Sequence, residues 1–421
     1  MRFLKRLALF IIVAMAISSA ANAVENIKTG AIIESRGWWW ASDNAPDSKY
    51  MESEIYLWMN ADLADNVFAR INLKYKNDFG SVSGTDEATN GDIDLWEGYV
   101  LISKPYGLPL QARVGRWTTQ VKPAGSMNYV PKFGEGFMIP NNHPWDGFSG
   151  TLYFTPDKDN YLDMFTIKLR EGSESNEDDI NASGMYFVTK AIECTQIDAY
   201  GAYIDRQNIP VTGTSIVLPY RHMYVVGSRV AGSVLCNENL NYKAELAYTK
   251  QISSSDALEH DGIGGYLGVN YDFKTQYSPS VRLAGYYLQS GFVQPVGHVD
   301  QDDLFEKGYG RIVDNLSQLT SNVWFITAGA TVKPTDKLAV DLDAYYYQQA
   351  NSTLVANGPV VEKQDSLGTE VDLTLSYTYS ENVMAELVGA YYSPSDEGLA
   401  ATRNTPADDT WLLKGGIKVS F

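Results

Sequence analysis

The 421-residue chain has only two cysteines, Cys194 and Cys236, and four histidines. It contains no Cys-x-x-Cys and no histidine pair at zinc-ligand spacing, so neither a structural zinc site nor a covalently attached haem has a donor set. His143, His222, His260 and His298 each lie in or beside a polar stretch. Gly-x-Ser-x-Gly and phosphate-loop patterns are missing as well, and nothing in the order of residues aims a base at a nucleophile. The expectation is a non-enzymatic protein that needs no cofactor and no metal. Positive charge is scarce too: 33 Lys+Arg against 51 Asp+Glu leave a formal charge of −18. A nucleic-acid partner would need a basic stripe, so that class is excluded. Beyond the N-terminus no apolar run approaches the roughly 18 residues a spanning helix needs. Disorder fits no better, because 12% of the residues are aromatic and apolar positions recur along the whole length.

Arg2, Lys5 and Arg6 precede an apolar run from Leu7 to Ile17, which ends in the small residues Ala21-Asn22-Ala23. A charged start, a short apolar middle and an A-x-A end, in that order, make residues 1–23 an expected secretory signal peptide. Residues 24–421 then form a single domain.

That domain alternates with period two. Leu338, Val340, Leu342, Ala344 and Tyr346 interleave with Ala339, Asp341, Asp343 and Tyr345, and Val371, Leu373 and Leu375 with Asp372, Thr374 and Ser376. Helical spacing would place these charges and apolar groups on one side, whereas a strand separates them onto two faces. About 18 such strands are expected, near 27–41, 50–64, 66–79, 93–105, 108–120, 148–158, 160–173, 184–193, 195–207, 222–234, 240–253, 263–274, 278–291, 323–335, 337–350, 367–380, 382–395 and 409–421. Short connections such as Pro334-Thr335-Asp336 and Ser380-Glu381 alternate with long polar ones at 80–92, 121–147, 174–183, 208–221, 292–322, 351–366 and 396–408. Short periplasmic turns and long extracellular loops are the asymmetry of a transmembrane antiparallel β-barrel in the outer membrane of a Gram-negative-type bacterium. In hydrocarbon every backbone N–H and C=O needs a partner, so such a sheet must close. The last strand ends on Phe421, a terminus of the kind the barrel-assembly machinery reads. Aromatic groups near strand ends, Trp38-Trp39-Trp40, Tyr286-Tyr287, Tyr345-Tyr346-Tyr347 and Tyr391-Tyr392, either supply an interfacial girdle or serve as strand formers. Outer-membrane lipid and lipopolysaccharide are the expected surroundings.

Assigning the apolar parity to lipid makes the opposite parity pore-lining. Its cations are Arg70, Lys74, Arg113, Lys168, Arg170, Lys243, Arg282, Lys414 and Lys418. Its anions are Glu54, Glu97, Asp198, Glu245, Asp341, Asp343, Glu370, Asp372 and Glu386. Cations gather on early strands and anions on late ones, so the lumen holds either a basic arc facing an acidic arc or a wall of mutually paired charges. Loops 121–147 and 292–322 are long enough to enter the bore. Cys194 and Cys236 fall at neighbouring ends of adjacent strands on the periplasmic side, where they either form a disulfide or remain thiols.

Arg113-Val114-Gly115-Arg116, Trp145-Asp146-Gly147-Phe148-Ser149-Gly150 and Gly368-Thr369-Glu370-Val371-Asp372-Leu373, with Tyr377 and Ser380-Glu381-Asn382 beyond, resemble segments of alginate-export-type outer-membrane porins. The resemblance implies an 18-stranded barrel and a passive pore, with Arg113 and Arg116 lining a constriction beside loop 121–147. Arg116 has lipid-facing parity, however, and would need a bulge or a place above the hydrocarbon to do so. Trp117 and Pro144-Trp145 depart from that pattern, and the mixed lumen lacks the basic bias that attracts a polyanion. The expected function is diffusion of small hydrophilic solutes or ions, selected by bore and charge. The alternatives are a channel for an acidic polysaccharide and a sheath for a periplasm-to-surface electron conduit.

Overall fold

Alternating side chains that point to opposite faces put each of these segments into extended backbone. In the computed structural model the strands are β1 (Glu25–Ser42), β2 (Ala45–Ala64), β3 (Val67–Phe79), β4 (Ile93–Ser103), β5 (Leu110–Trp117), β6 (Trp145–Tyr153), β7 (Tyr161–Arg170), β8 (Ile180–Ile192) and β9 (Thr195–Arg206). A separate two-stranded ribbon, β10 (Ile209–Pro210) and β11 (Val217–Leu218), follows. Then come β12 (Arg221–Ser233), β13 (Leu240–Ser253), β14 (His260–Asp272), β15 (Ser280–Leu288), β16 (Val323–Thr335), β17 (Leu338–Asn357), β18 (Val360–Ser380), β19 (Val383–Pro394) and β20 (Thr410–Ser420). A short α-helix, α1 (Arg311–Leu316), precedes β16. The described residues are 25–421 without 44, 80–92, 118–144, 157–158, 171–179, 207–208, 211–216, 219–220, 254–259, 293–310, 317–321, 358–359 and 396–407. The expected signal peptide, residues 1–23, lies outside them.

All strands but β10 and β11 form one 18-stranded antiparallel sheet, each strand pairing with its neighbour in the chain and β9 with β12. The sheet closes on itself. β1 pairs with β20 from Ile32↔Ser420 to Ser42↔Thr410. The Ala31 N–H donates to the Phe421 carbonyl at 2.7 Å, and the Phe421 N–H donates to the Ala31 carbonyl at 3.0 Å. The 18-stranded sheet is left without an edge to pair with another chain.

The two faces are inverted relative to a water-soluble protein. Leu246 and Leu267 on the outer face are 61% and 60% exposed, and Val114, Met164, Leu342, Leu373 and Leu413 stand out likewise. Arg70, Glu97, Asp198, Glu245, Asp343 and Asp372, of the opposite parity, are buried within the cylinder. Only hydrocarbon suits such an exterior, so the fold is a barrel that spans a bilayer. The aromatic groups split between the faces. Tyr287, Tyr346 and Trp39 point outward, Tyr286, Tyr345 and Tyr347 inward, and the outer Tyr391 and Trp411 rings meet at 4.2 Å.

The start of β1, the end of β20 and the short turns share one end of the barrel. There Cys194, in the turn before β9, and Cys236, after β12, form a disulfide with their Cα atoms 5.3 Å apart. It links turns already joined by the Gly232↔Thr195 pair. At the opposite end one expectation needs correction. The stretch 351–366 is not a long loop, because β17 and β18 continue to pair through Thr353↔Gln364, Val355↔Glu362 and Asn357↔Val360. Polar strands that rise beyond the hydrocarbon need no apolar face.

Candidate functional site

The inner wall is the candidate site, and a ladder of ion pairs covers its first part. On β3, Arg70 lies between its neighbours and is wholly buried: its Nε donates to Glu97 Oε2 at 2.6 Å and its Nη1 to Asn60 Oδ1 at 3.1 Å. Asn72 Nδ2 also donates to Glu97, at 3.3 Å. Glu97 reaches this position through an irregularity in the β3–β4 register between Asn72 and Leu73, where Trp96 is the extra residue. Lys74 Nζ sits 3.1 Å from Glu54 and 4.3 Å above the Trp96 ring, and Lys76 is 2.9 Å from Glu52. Lys418, across the closure, is 2.6 Å from Glu34, which also pairs with Arg36. Arg36 in turn lies 3.5 Å from Glu52.

The next sector mixes aromatic rings with charged groups. Arg113 is 2% exposed and lies 5.3 Å from the Tyr99 ring and 5.5 Å from that of Trp117, while its Nε and Nη1 have no hydrogen-bond partner among the described residues. Asp163, two strands on, accepts from Thr151 at 3.0 Å. Asp198 accepts from Tyr186 at 2.8 Å and Gln196 at 2.9 Å and lies 3.4 Å from Arg229. Glu245 accepts from Tyr200, and Lys243 lies 5.8 Å from the Tyr266 ring.

The last sector is an aromatic row. Tyr266, Tyr286, Phe325, Tyr347 and Tyr392 follow one another with ring centroids 5.4, 4.4, 5.5 and 6.4 Å apart, spacings at which ring pairs attract. Ring-bearing residues of inward parity face one another in register, as in Tyr266↔Tyr286, Tyr286↔Phe325 and Phe325↔Tyr347. Beside the row, Arg282 holds Asp343 (Nε–Oδ1 2.8 Å), Thr331 (2.8 Å) and Asp341 (3.5 Å). Glu370 and Asp372 have another kind of partner. Asp372 accepts the Arg311 backbone N–H at 2.9 Å, and Glu370 accepts those of Ile312 and, at 3.1 Å, Val313. The chain from the β15–β16 connection therefore enters the barrel, and Phe292, Ile312 and Val313 are buried in one apolar cluster with Tyr345, Tyr347, Leu367 and Tyr392. Phe292 is seated against Gly264, where a Cβ would come within 2.7 Å of its ring.

Of the residues expected to line the pore, Arg70, Lys74, Arg113, Lys243, Arg282, Lys414, Lys418, Glu97, Asp341, Asp343, Glu370, Asp372 and Glu386 have inward parity. Two are corrected. Lys168 stands on the outer face of β7 with Met164 and Thr166, because Asp163, Phe165 and Ile167 are the buried parity. Both faces of β7 carry apolar residues, so hydrophobicity alone does not fix its orientation. Arg116 likewise points outward, 3.7 Å from the exposed Asp146, and does not line the bore. The side chain of Arg170 and residues 118–144 of the loop beside Arg113 lie outside the described residues. Of the two charge arrangements expected, local pairing describes β1–β4, where Arg36, Arg70, Lys74 and Lys76 meet Glu34, Glu97, Glu54 and Glu52, whereas Arg113 on β5 lies against the Tyr99 and Trp117 rings. Glu34, Arg36, Glu52, Lys76, Asp163 and Arg229 belong to the wall although the sequence reading does not include them. Strand parity finds Glu52, two residues from Glu54, but not Asp163, whose neighbours are apolar on both sides.

The grouping of Glu193, Cys194 and Cys236 offers no thiolate, since the two sulfurs are joined to each other. No family model matches the chain and no curated protein does, so the alginate-export-type resemblance gains no support from the comparisons. Among solved structures, OccK11 (OpdR) of Pseudomonas aeruginosa is similar with a TM-score of 0.59 at 9% identity, over 94% of this chain and 96% of that one. OccK8 (OprE) of the same organism gives 0.56 at 11% identity, over 94% and 98%. OccAB2 of Acinetobacter baumannii gives 0.54 at 13% identity, over 94% and 98%. At such identities the shared property is the fold, a porin-like 18-stranded barrel.

Proposed function

We propose that this protein is an outer-membrane porin through which small hydrophilic solutes or ions diffuse passively. The closed cylinder carries the reading: an apolar outside, a charged inside and neighbours of the same architecture along nearly the whole chain. A wall of this kind selects by width and by the charges a solute passes, with no energy input. Because Arg70, Lys74 and Lys76 are each met by a carboxylate, this part of the wall adds little net field, and the preference between small cations and anions is shallow.

The surroundings follow from the same reading. Residues 1–23 direct export and are removed, Phe421 presents the last strand to the barrel-assembly machinery, and outer-membrane lipid with lipopolysaccharide contacts the outer face. Purified protein in a planar bilayer tests the proposal: discrete conductance steps with a reversal potential near zero in a salt gradient are expected. A silent membrane that nonetheless contains the folded barrel would overturn it.

A further inference from the structure

α1 is too short to be stable alone in water, since isolated helices below roughly 12 residues are marginal. Its first turn leaves backbone N–H groups unpaired within the helix, and the barrel wall supplies their acceptors. Glu370 and Asp372 are two apart on β18 and so share a face, 1% and 3% exposed, while Val371 and Leu373 between and beyond them point to lipid. Asp343 and Tyr345 stand directly opposite on β17, in the pairs Asp343↔Asp372 and Tyr345↔Glu370. Asp343 is already taken by Arg282. The two β18 carboxylates are answered instead by the N–H groups of Arg311, Ile312 and Val313. Both sides depend on the contact, because buried carboxylates need donors and helix starts need acceptors. Ile312 and Val313, each fully buried, add an apolar seat beside the aromatic row. A second fastening lies upstream, where Phe292 fits the space left by Gly264.

We propose that Glu370 and Asp372 are positioning residues that latch α1 against the β17–β18 wall and thereby set the open width of the bore. The inference rests on the pore reading above. The latch is a property of this wall, since the carboxylates of the β1–β4 wall are occupied by Arg and Lys side chains. The helix occupies cross-section that would otherwise conduct, and its release widens the path.

The test compares single-channel conductance of the full-length protein with two variants that attack the latch from opposite sides. Glu370→Gln with Asp372→Asn changes only the wall; Ile312→Asn with Val313→Asn changes only the helix. Barrel integrity is checked by heat-modifiable electrophoretic migration. A rise in conductance of roughly twofold or more in either folded variant is expected, because flow scales with open cross-section. A companion readout uses Val313→Cys. The introduced thiol should resist a bulky thiol reagent in the otherwise unaltered chain and react once Glu370 and Asp372 are neutralised. Folded variants whose conductance and thiol reactivity match the parent overturn the latch while leaving the pore intact. If parent and variants are all silent, the pore reading itself falls and the latch's role in conduction falls with it. Should the wall variant fail to fold, the helix variant decides alone.

Discussion

On the wall of β1–β4, Arg70, Lys74 and Lys76 each meet a carboxylate from an adjacent strand, whereas on β18 Glu370 and Asp372 meet backbone N–H groups of an infolded helix. The two walls face the same physical demand. Charged groups in a lumen that excludes part of its water must find partners or remain expensive. The first wall meets it with side chains within the sheet and leaves the bore beside Lys76 and Lys418 open to solvent, their side chains being 35% and 43% exposed. The second uses chain from another part of the sequence, which fills space. On the proposed pore reading, width and charge are thus set by different walls.

The sharpest way to break the comparison is to remove one member of a pair on the first wall. Arg70→Met leaves Glu97 buried without its cation, and losing one partner of a buried pair costs about 3–5 kcal/mol. Urea unfolding in detergent micelles should show that loss, with channel width in surviving barrels nearly unchanged. A comparable loss of stability is not expected when the β18 acids are neutralised, because Gln and Asn relieve the carboxylates of their need for donors.

Next in size is a test in which the two walls should agree. Leu57→Arg on β2 and Leu373→Arg on β18 both place a cation on the lipid face, at a depth-dependent cost of roughly 2–4 kcal/mol near the midplane. Equal penalties confirm that the difference between the walls is confined to the inside; a penalty at only one of them would mean that the other's outer face is covered by something other than lipid.

A smaller effect is expected for selectivity. Lys418→Glu removes a half-exposed lumenal cation beside Glu34, and the reversal potential should move toward cations. An unchanged potential would show that this part of the wall lies off the conduction path. Smallest of all is Lys190→Ala at the short-turn end. Its 2.7 Å contact with Asp159 is exposed, and such pairs contribute about 0–1 kcal/mol, so no measurable change in unfolding is expected.

The strands are legible in the sequence because lipid outside and water inside impose period two wherever the chain crosses the bilayer. Leu246 and Leu373 point outward as their alternation demands. The rule fails where hydrophobicity falls on both faces, as on β7, which is why it puts Lys168 on the wrong face and passes over Asp163. It also weakens where strands rise past the membrane, as β17 and β18 do beyond Gln349. The charged groups can be enumerated from parity, but their partners cannot. Arg70 and Glu97 are 27 residues apart and meet through a local register irregularity, and Glu370 meets Val313 across 57 residues of chain. Pairings of that kind depend on strand stagger and on where a long connection travels, which no local pattern encodes.

The inside-out cylinder underlies each of these statements, and spin labels stepped singly through β13 from Ala244 to Thr249 in bilayers test it most directly. Oxygen, which concentrates in hydrocarbon, should relax labels at Ala244, Leu246 and Tyr248, and a water-soluble nickel complex should relax those at Glu245, Ala247 and Thr249. Accessibility without a two-residue period, or with the two sets exchanged, would contradict the account.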